Sequence, residues 1–191
     1  MKIKFMGKYN NDPKSLPKKE MVTGAHRIKK IDNLVVLTIV MTVICCVLGY
    51  LFLMILIDYF GSSLLSVPGV LAALLSFVFC IPHEYIHAIC FKEEAYIYIA
   101  NGLMFAMSPE HMSKRRYLFM VLLPFTVLGV IPFCIGLILR CSPLAIFGAL
   151  SIIPCTGDLY LALNSLFQVP SNGKIYLYDM VNYWYIDQND K

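Results

Sequence analysis

Charged residues are scarce in this chain, and their scarcity limits the class of protein to which it can belong. Only 15% of its 191 residues are charged, whereas 59% are apolar. A soluble domain usually carries about 25% charged residues, and a chain of this length has room for one compact domain. Internal repeats and low-complexity segments are also lacking. This composition indicates a membrane protein.

Three other signals are missing. Residues 1–33 contain many lysines but no apolar core, so they do not have the pattern of a cleaved signal peptide. The seven cysteines lack the paired spacing of a zinc knuckle or a thioredoxin site. Aromatic residues do not alternate regularly with the N-terminal lysines, so the net charge of +4 does not indicate nucleic-acid binding. A lysine-rich tail beside an apolar run is typical of the cytoplasmic side of a membrane protein.

Long apolar runs are abundant. Four of them approach the roughly 20 residues that a helix needs to cross the hydrocarbon core of a bilayer. The predicted spans are 34–57, 67–91 (starting at about 64 or 67), 117–139 and 144–167. We predict a basic cytoplasmic tail (1–33), a four-helix transmembrane core (34–167) and a cytoplasmic C-terminal tail (168–191). With the basic tail inside, both termini lie in the cytoplasm.

A shorter apolar stretch follows the second predicted span. It contains Asn101-Gly102, a strong two-residue signal for a tight hairpin. Its flanks are aromatic and β-branched, and they are too short to cross a membrane. The predicted fold class is therefore an all-α membrane protein, with four transmembrane helices and one short β-hairpin between helices 2 and 3. We expect the hairpin at the cytoplasmic interface.

The second span contains the motif His83-Glu84-Tyr85-Ile86-His87, which has the HExxH pattern. Histidines four residues apart project from one face of a helix and can bind one zinc ion. Glu84 can take a proton from a zinc-bound water and later pass it to the leaving amine. Each ionisable group at this depth costs roughly 2.5–3.5 kcal/mol, so three of them within five positions indicate a metal or another partner. We predict a metallopeptidase site with Glu84 as its catalytic base.

A catalytic zinc ion usually has three protein ligands and one open position. Asp158 is the only other acidic residue inside a predicted span. Counted from the outer ends of their spans, His83 and Asp158 lie roughly 24 and 21 Å deep at ~1.5 Å per residue. We therefore predict Asp158 as the third ligand. The alternatives, which require the loop to fold back toward the metal, are Glu110, His111, Glu93 and Glu94.

A protease in the bilayer must hold its substrate extended, because an amide inside a helix is shielded by its own hydrogen bonds. An exposed hairpin edge can bind an extended peptide as an added strand. The predicted substrate-binding residues are Tyr96, Ile97, Tyr98, Ile99, Asn101 and Gly102. The alternative is that the hairpin only plugs the structure.

The motif, the later membrane-embedded acid and the hairpin between them resemble the site-2 class of intramembrane zinc metalloproteases. The chain from about His26 onward is more closely similar to the short bacterial zincin peptidases, and the specific part of this likeness is the HExxH motif and Thr156-Gly157-Asp158. The resemblance implies His83 and His87 as zinc ligands, Asp158 as the third ligand and Glu84 as the general base.

One departure from the site-2 class is evident. There the third ligand usually sits in Asn-Pro-Asp-Gly or Leu-Asp-Gly, whereas here Gly157 precedes Asp158 and Leu159 follows it. This difference leaves the ligand assignment in place but separates the chain from the well-studied branch.

Together these observations predict a zinc-dependent intramembrane endopeptidase of the bacterial cytoplasmic membrane. Its expected partners are the lipid bilayer and a membrane-anchored protein or peptide substrate, without nucleic acid. A metal or proton transporter and a non-catalytic zinc-binding adaptor are the alternatives. Transport usually needs a path to both faces and often a repeated architecture. The sequence shows no repeat and no polar residues in the outer halves of the spans, which favours the enzyme.

Overall fold

The computed structural model describes residues 2–100 and 102–187, and it corrects the predicted fold class. The protein is 59% helical and 19% strand, with two β-sheets, so the prediction of an all-α fold is wrong. The helices are α1 (Leu34–Phe60), α2 (Val67–Val78), α3 (Cys80–Ile89), α4 (Lys114–Pro124), α5 (Ile131–Ile138), α6 (Ser142–Ile152) and α7 (Thr156–Gln168). The strands are β1 (Lys2–Lys8), β2 (His26–Arg27), β3 (Glu94–Ala100), β4 (Leu103–Met107), β5 (Met112–Ser113), β6 (Gly173–Tyr178) and β7 (Val181–Ile186).

The position predicted for the β-hairpin, between helices 2 and 3, is also wrong. The second predicted span consists of two helices, α2 and α3, with a bend of 46° between them. The antiparallel strands β3 and β4 therefore follow the third helix, and they belong to a larger sheet. Asn101, in the predicted turn, lies outside the described residues.

The chain divides into two compact units. One of them is built from residues 1–30, 81–121 and 161–191, and it contains both sheets. The first sheet has the order β1-β3-β4, with β1 parallel to β3 and β4 antiparallel to it. On one side of this sheet Tyr9, Leu16, Tyr98 and Met107 form an apolar cluster. The central strand β3 is thereby held by pairing on both edges and by packing on this face.

The second sheet has the order β2-β7-β6-β5. Its main hairpin joins Tyr178 of β6 to Val181 of β7 through the two residues Asp179 and Met180, whose φ angles are +47° and +61°. Positive φ at both central positions is what a two-residue hairpin turn demands, and it usually selects Asn-Gly or Asp-Gly. The turn here has neither dipeptide, so residue types do not predict a hairpin at this point.

The other compact unit comprises residues 31–80 and 122–160 and is helical. Its core is built from small and branched residues of α1, α2 and α6, namely Leu56, Ala72, Ala145, Ile146 and Ala149. Helices α5 and α6 approach so closely that a Cβ atom on Gly136 would lie 2.3 Å from the backbone nitrogen of Ala145. Close approach through small residues is typical of helices packed in a membrane.

Among the residues that the structure describes, three helical segments are long and apolar enough to cross a membrane: Leu34–Leu65, Lys114–Ile138 and Ser142–Gln168. The bent pair α2 and α3 would make a fourth span if the two helices crossed together. Only 6% of the most apolar window of the first segment is buried inside the protein. Its apolar side chains are thus left to contact another apolar phase, which supports a membrane location.

Candidate active site

Helix α3 carries the HExxH motif. Pro82 occupies its first turn, where the missing N–H group breaks no helical hydrogen bond. His83 and His87 lie one turn apart, and their Nε2 atoms are separated by 3.2 Å. Two ligand atoms bound tetrahedrally at about 2.0–2.1 Å from a zinc ion are about 3.3–3.4 Å apart. The two imidazoles therefore already have the separation that a shared zinc ion requires.

The orientation of His87 is set by its other ring nitrogen. Nδ1 lies 3.0 Å from the carbonyl oxygen of Met120 in α4. Because a carbonyl oxygen can only accept a hydrogen bond, Nδ1 donates its hydrogen, and the lone pair of a neutral imidazole is then on Nε2. Metal-binding histidines almost always have such a partner on the nitrogen that does not bind the metal.

Asp158 lies in the first turn of α7. One ligand atom each from His83, His87 and Asp158 can be chosen such that all three atoms lie within 4.8 Å of one another. Two imidazole nitrogens and a carboxylate oxygen match the donor set of catalytic zinc sites in metallopeptidases, which leave a fourth position for water or substrate. Among the described residues, these three form the group that could hold a metal ion.

Glu84 points to the β3–β4 pair. The backbone N–H group of Ala106 in β4 donates a hydrogen bond to Oε2 of Glu84, with a nitrogen–oxygen distance of 2.8 Å. The Glu84 side chain is half-buried. The hydrogen bond holds the carboxylate of Glu84 beside β4.

Glu110, an alternative third ligand in the sequence, is occupied elsewhere. It is buried, with 4% of its surface exposed. Its carboxylate accepts hydrogen bonds from the Arg116 guanidinium and from the backbone N–H groups of Lys92 and Glu93. Burial alone would raise the pKa of Glu110, but the bonds from Arg116 and from the two N–H groups outweigh burial and lower it.

His111, the second alternative, lies in an aromatic cluster. Its ring stacks on Tyr176 with a centroid distance of 4.5 Å, and its Nδ1 is 2.9 Å from the Tyr185 hydroxyl. Burial, and then the positive charge of Lys19, lower the pKa of His111. The remaining alternatives, Glu93 and Glu94, form exposed ion pairs with Lys19 and Lys4.

Four of the predicted substrate-binding residues, Tyr96, Ile97, Tyr98 and Ile99, lie in the central strand β3. Ile97 and Tyr98 are buried. Tyr96 donates its hydroxyl hydrogen to Glu94, and this bond together with burial raises the pKa of Tyr96 to about 12. Gly102 lies in the turn with a φ of +84°, and Asn101 is outside the described residues. Their contact with a substrate stays a prediction.

Two groups at the site could not be found by reading residue types. The N–H group of Ala106 and the carbonyl group of Met120 belong to the backbone. Any residue at position 120 would supply the carbonyl group, and any residue except proline at position 106 would supply the N–H group. Only the pairing of β4 and the course of α4 bring them to Glu84 and His87.

Comparison with known proteins relates part of the chain to a protein family. The profile of a protein family described as "Putative zincin peptidase" matches residues 76–173, just over half of the chain. Searches of curated proteins and of solved structures gave no match. The matched segment contains His83, His87 and Asp158, the group that could hold a metal ion. The family description indicates a zinc metallopeptidase, and the chain belongs to this zincin peptidase family.

Proposed function

We propose that the protein is a zinc-dependent intramembrane endopeptidase that cleaves membrane-anchored proteins or peptides within or near the bilayer. The observation that carries this proposal is the grouping of His83, His87 and Asp158 beside Glu84. Family membership supports the metallopeptidase chemistry. The long apolar helices support a membrane location, and the basic N-terminal segment supports cytoplasmic termini.

His83, His87 and Asp158 would hold the zinc ion, which when bound polarises a carbonyl group and makes water more acidic. Glu84 takes one proton from the attacking water as the oxygen of this water bonds to the scissile carbonyl carbon. Glu84 then delivers this proton to the amide nitrogen as the carbon–nitrogen bond breaks. The products are a carboxylic acid and an amine, and the proton of the acid passes to the amine, which gives a carboxylate and an ammonium group. Glu84 returns to its ionised form.

The strand order indicates where an extended substrate would bind. Strand β3 is paired on both sides, by β1 and by β4, so within the described sheet the outer strand nearest to Glu84 is β4. We place the substrate along the outer edge of β4, as an added strand. The predicted residues Tyr96 to Ile99 then lie behind the binding edge, and Gly102 shapes the turn that presents it.

The chemistry is tested by cleavage of a membrane-anchored reporter in proteoliposomes. Glu84→Gln keeps the size of the side chain but removes the base, so cleavage should fall about 10²–10⁴-fold. Bound zinc should stay near the wild-type level, because Glu84 is not among the proposed ligands. Glu20→Gln, which changes an exposed carboxylate in the N-terminal segment, is the matched control and should cleave like the wild type.

Equal cleavage by Glu84→Gln and by the wild type would exclude Glu84 as the base. Absence of cleavage by zinc-loaded wild type across reporters of different sequence would contradict the peptidase function and favour a non-catalytic adaptor or a transporter.

A further inference from the structure

The backbone of β4 alternates in direction along the strand. β3 and β4 are consecutive antiparallel strands, in which Ala100 pairs with Leu103 and Tyr98 pairs with Phe105. In such a hairpin every second residue exchanges both of its backbone hydrogen bonds with the partner strand. Leu103, Phe105 and Met107 therefore turn their backbone groups toward β3, while Met104 and Ala106 turn theirs away from it.

The observed contact of Ala106 agrees with this alternation. Its N–H group points to the outer edge and donates to Oε2 of Glu84 at 2.8 Å. The same edge is the one at which we place an added substrate strand. This hydrogen bond joins the helix that carries the general base to the strand that would hold the substrate.

We propose that the N–H group of Ala106 is a positioning group, which fixes the carboxylate of Glu84 relative to the bound substrate; this inference rests on the proposed peptidase function. The glutamate side chain has three rotatable bonds, and a charge-assisted hydrogen bond from a paired strand restricts them. Proton transfer needs the base within hydrogen-bond reach of the reacting atoms. A displacement of about 1 Å can lower a rate by about 10²-fold.

The variant that tests the role of Ala106 is Ala106→Pro, because proline removes the N–H group. Proline is tolerated on an edge strand where the missing N–H group does not serve the ladder, which is the case at residue 106. We expect kcat to fall by about 10²-fold, with KM and zinc content unchanged. Ala106→Gly keeps the N–H group and should retain kcat within a factor of about three, a margin of about 0.7 kcal/mol.

Met104→Pro is the matched control at the same edge. It also removes an N–H group that points away from β3, but that group is not the one bound to Glu84. If the substrate adds along this edge, Met104→Pro should raise KM and leave kcat unchanged. The two prolines then separate the positioning of the base from the binding of the strand.

A second change keeps the proposal testable if Ala106→Pro does not fold. Replacing Ala106 by lactic acid turns the amide N–H into an ester oxygen with little change of shape, and it should lower kcat in the same way. Unchanged kcat in the ester or in a folded proline variant would overturn the positioning role while leaving the peptidase function intact. An increase in kcat would overturn it too, because the N–H group would then restrain the base. A wild type without cleavage would overturn both proposals.

Discussion

Asp158→Ala should lower the affinity of the purified protein for zinc by more than about 100-fold, since loss of a residue that merely supports a ligand already costs about 10–100-fold. Asp158 is the only carboxylate in the described group with His83 and His87. Its removal leaves two imidazoles, which is one ligand fewer than catalytic zinc sites have. Zinc content per chain, measured after dialysis against a weak chelator, reports this loss directly.

Two variants serve as comparisons in this measurement of zinc content. His87→Ala removes a ligand from α3 and should lose zinc to a similar extent. Asp58→Ala removes a carboxylate near the end of α1, outside the group, and should bind zinc like the wild type. Zinc retained at full occupancy in Asp158→Ala would contradict the assignment of the third ligand.

Glu110→Ala should destabilise the folded protein by about 3–5 kcal/mol, the usual effect of removing one partner of a buried ion pair. The substitution leaves the Arg116 guanidinium without its carboxylate partner and two backbone N–H groups without their acceptor. Arg116 also donates to the carbonyl oxygen of Cys90, just after helix α3. The ion pair thus links the end of the HExxH helix to the start of α4. Unfolding by denaturant in detergent measures the change.

The comparison for Glu110 is Glu93→Ala. Glu93 forms an ion pair with Lys19, in which both side chains are about half exposed. Such surface pairs contribute up to about 1 kcal/mol, so this variant should stay close to the wild type. Similar destabilisation by the two variants would contradict a special role for the buried pair.

The pH dependence of the free energy of unfolding is a second test of the contribution of Glu110 to stability. Its pKa in the folded protein is lowered, so the unfolded chain binds more protons at acid pH. The contribution of Glu110 is therefore fully present above its ordinary pKa of 4.5, and it is lost as the pH falls through the lower pKa of the folded state. The wild type should lose stability more steeply than Glu110→Ala over this acid range. Parallel curves for the two proteins would contradict this explanation.

The relative placement of the two histidines can be predicted from the sequence. Histidines four residues apart meet on one face wherever the segment is helical, and α3 is helical from Cys80 to Ile89. The depth of Asp158 in its apolar run is weaker evidence that it lies near the histidines. The comparison of depths requires an assumption about the direction in which each span crosses the membrane. Backbone partners such as the Ala106 N–H group leave no signal in residue type.

The strands were harder to predict for a specific reason. In β1 the lysines alternate with Ile3 and Phe5, a two-residue period typical of a strand. The positive charge of this segment is also typical of a cytoplasmic tail, so the segment is interpreted as a tail and its strand is not predicted. In β6 and β7 the aromatic and β-branched residues favour strands. Their turn at Asp179-Met180 lacks glycine, so the pair of strands did not have the pattern of a hairpin.

The most direct test of the central claim is X-ray absorption at the zinc edge of the purified wild-type protein. We predict about one zinc ion per chain, bound by two imidazole nitrogens and at least one oxygen at about 2.0–2.2 Å, without sulfur. The chain has seven cysteines, so a site made by sulfur is a real alternative. Zinc–sulfur distances of about 2.3 Å, or no bound zinc after loading, would contradict a peptidase centre built on His83, His87 and Asp158.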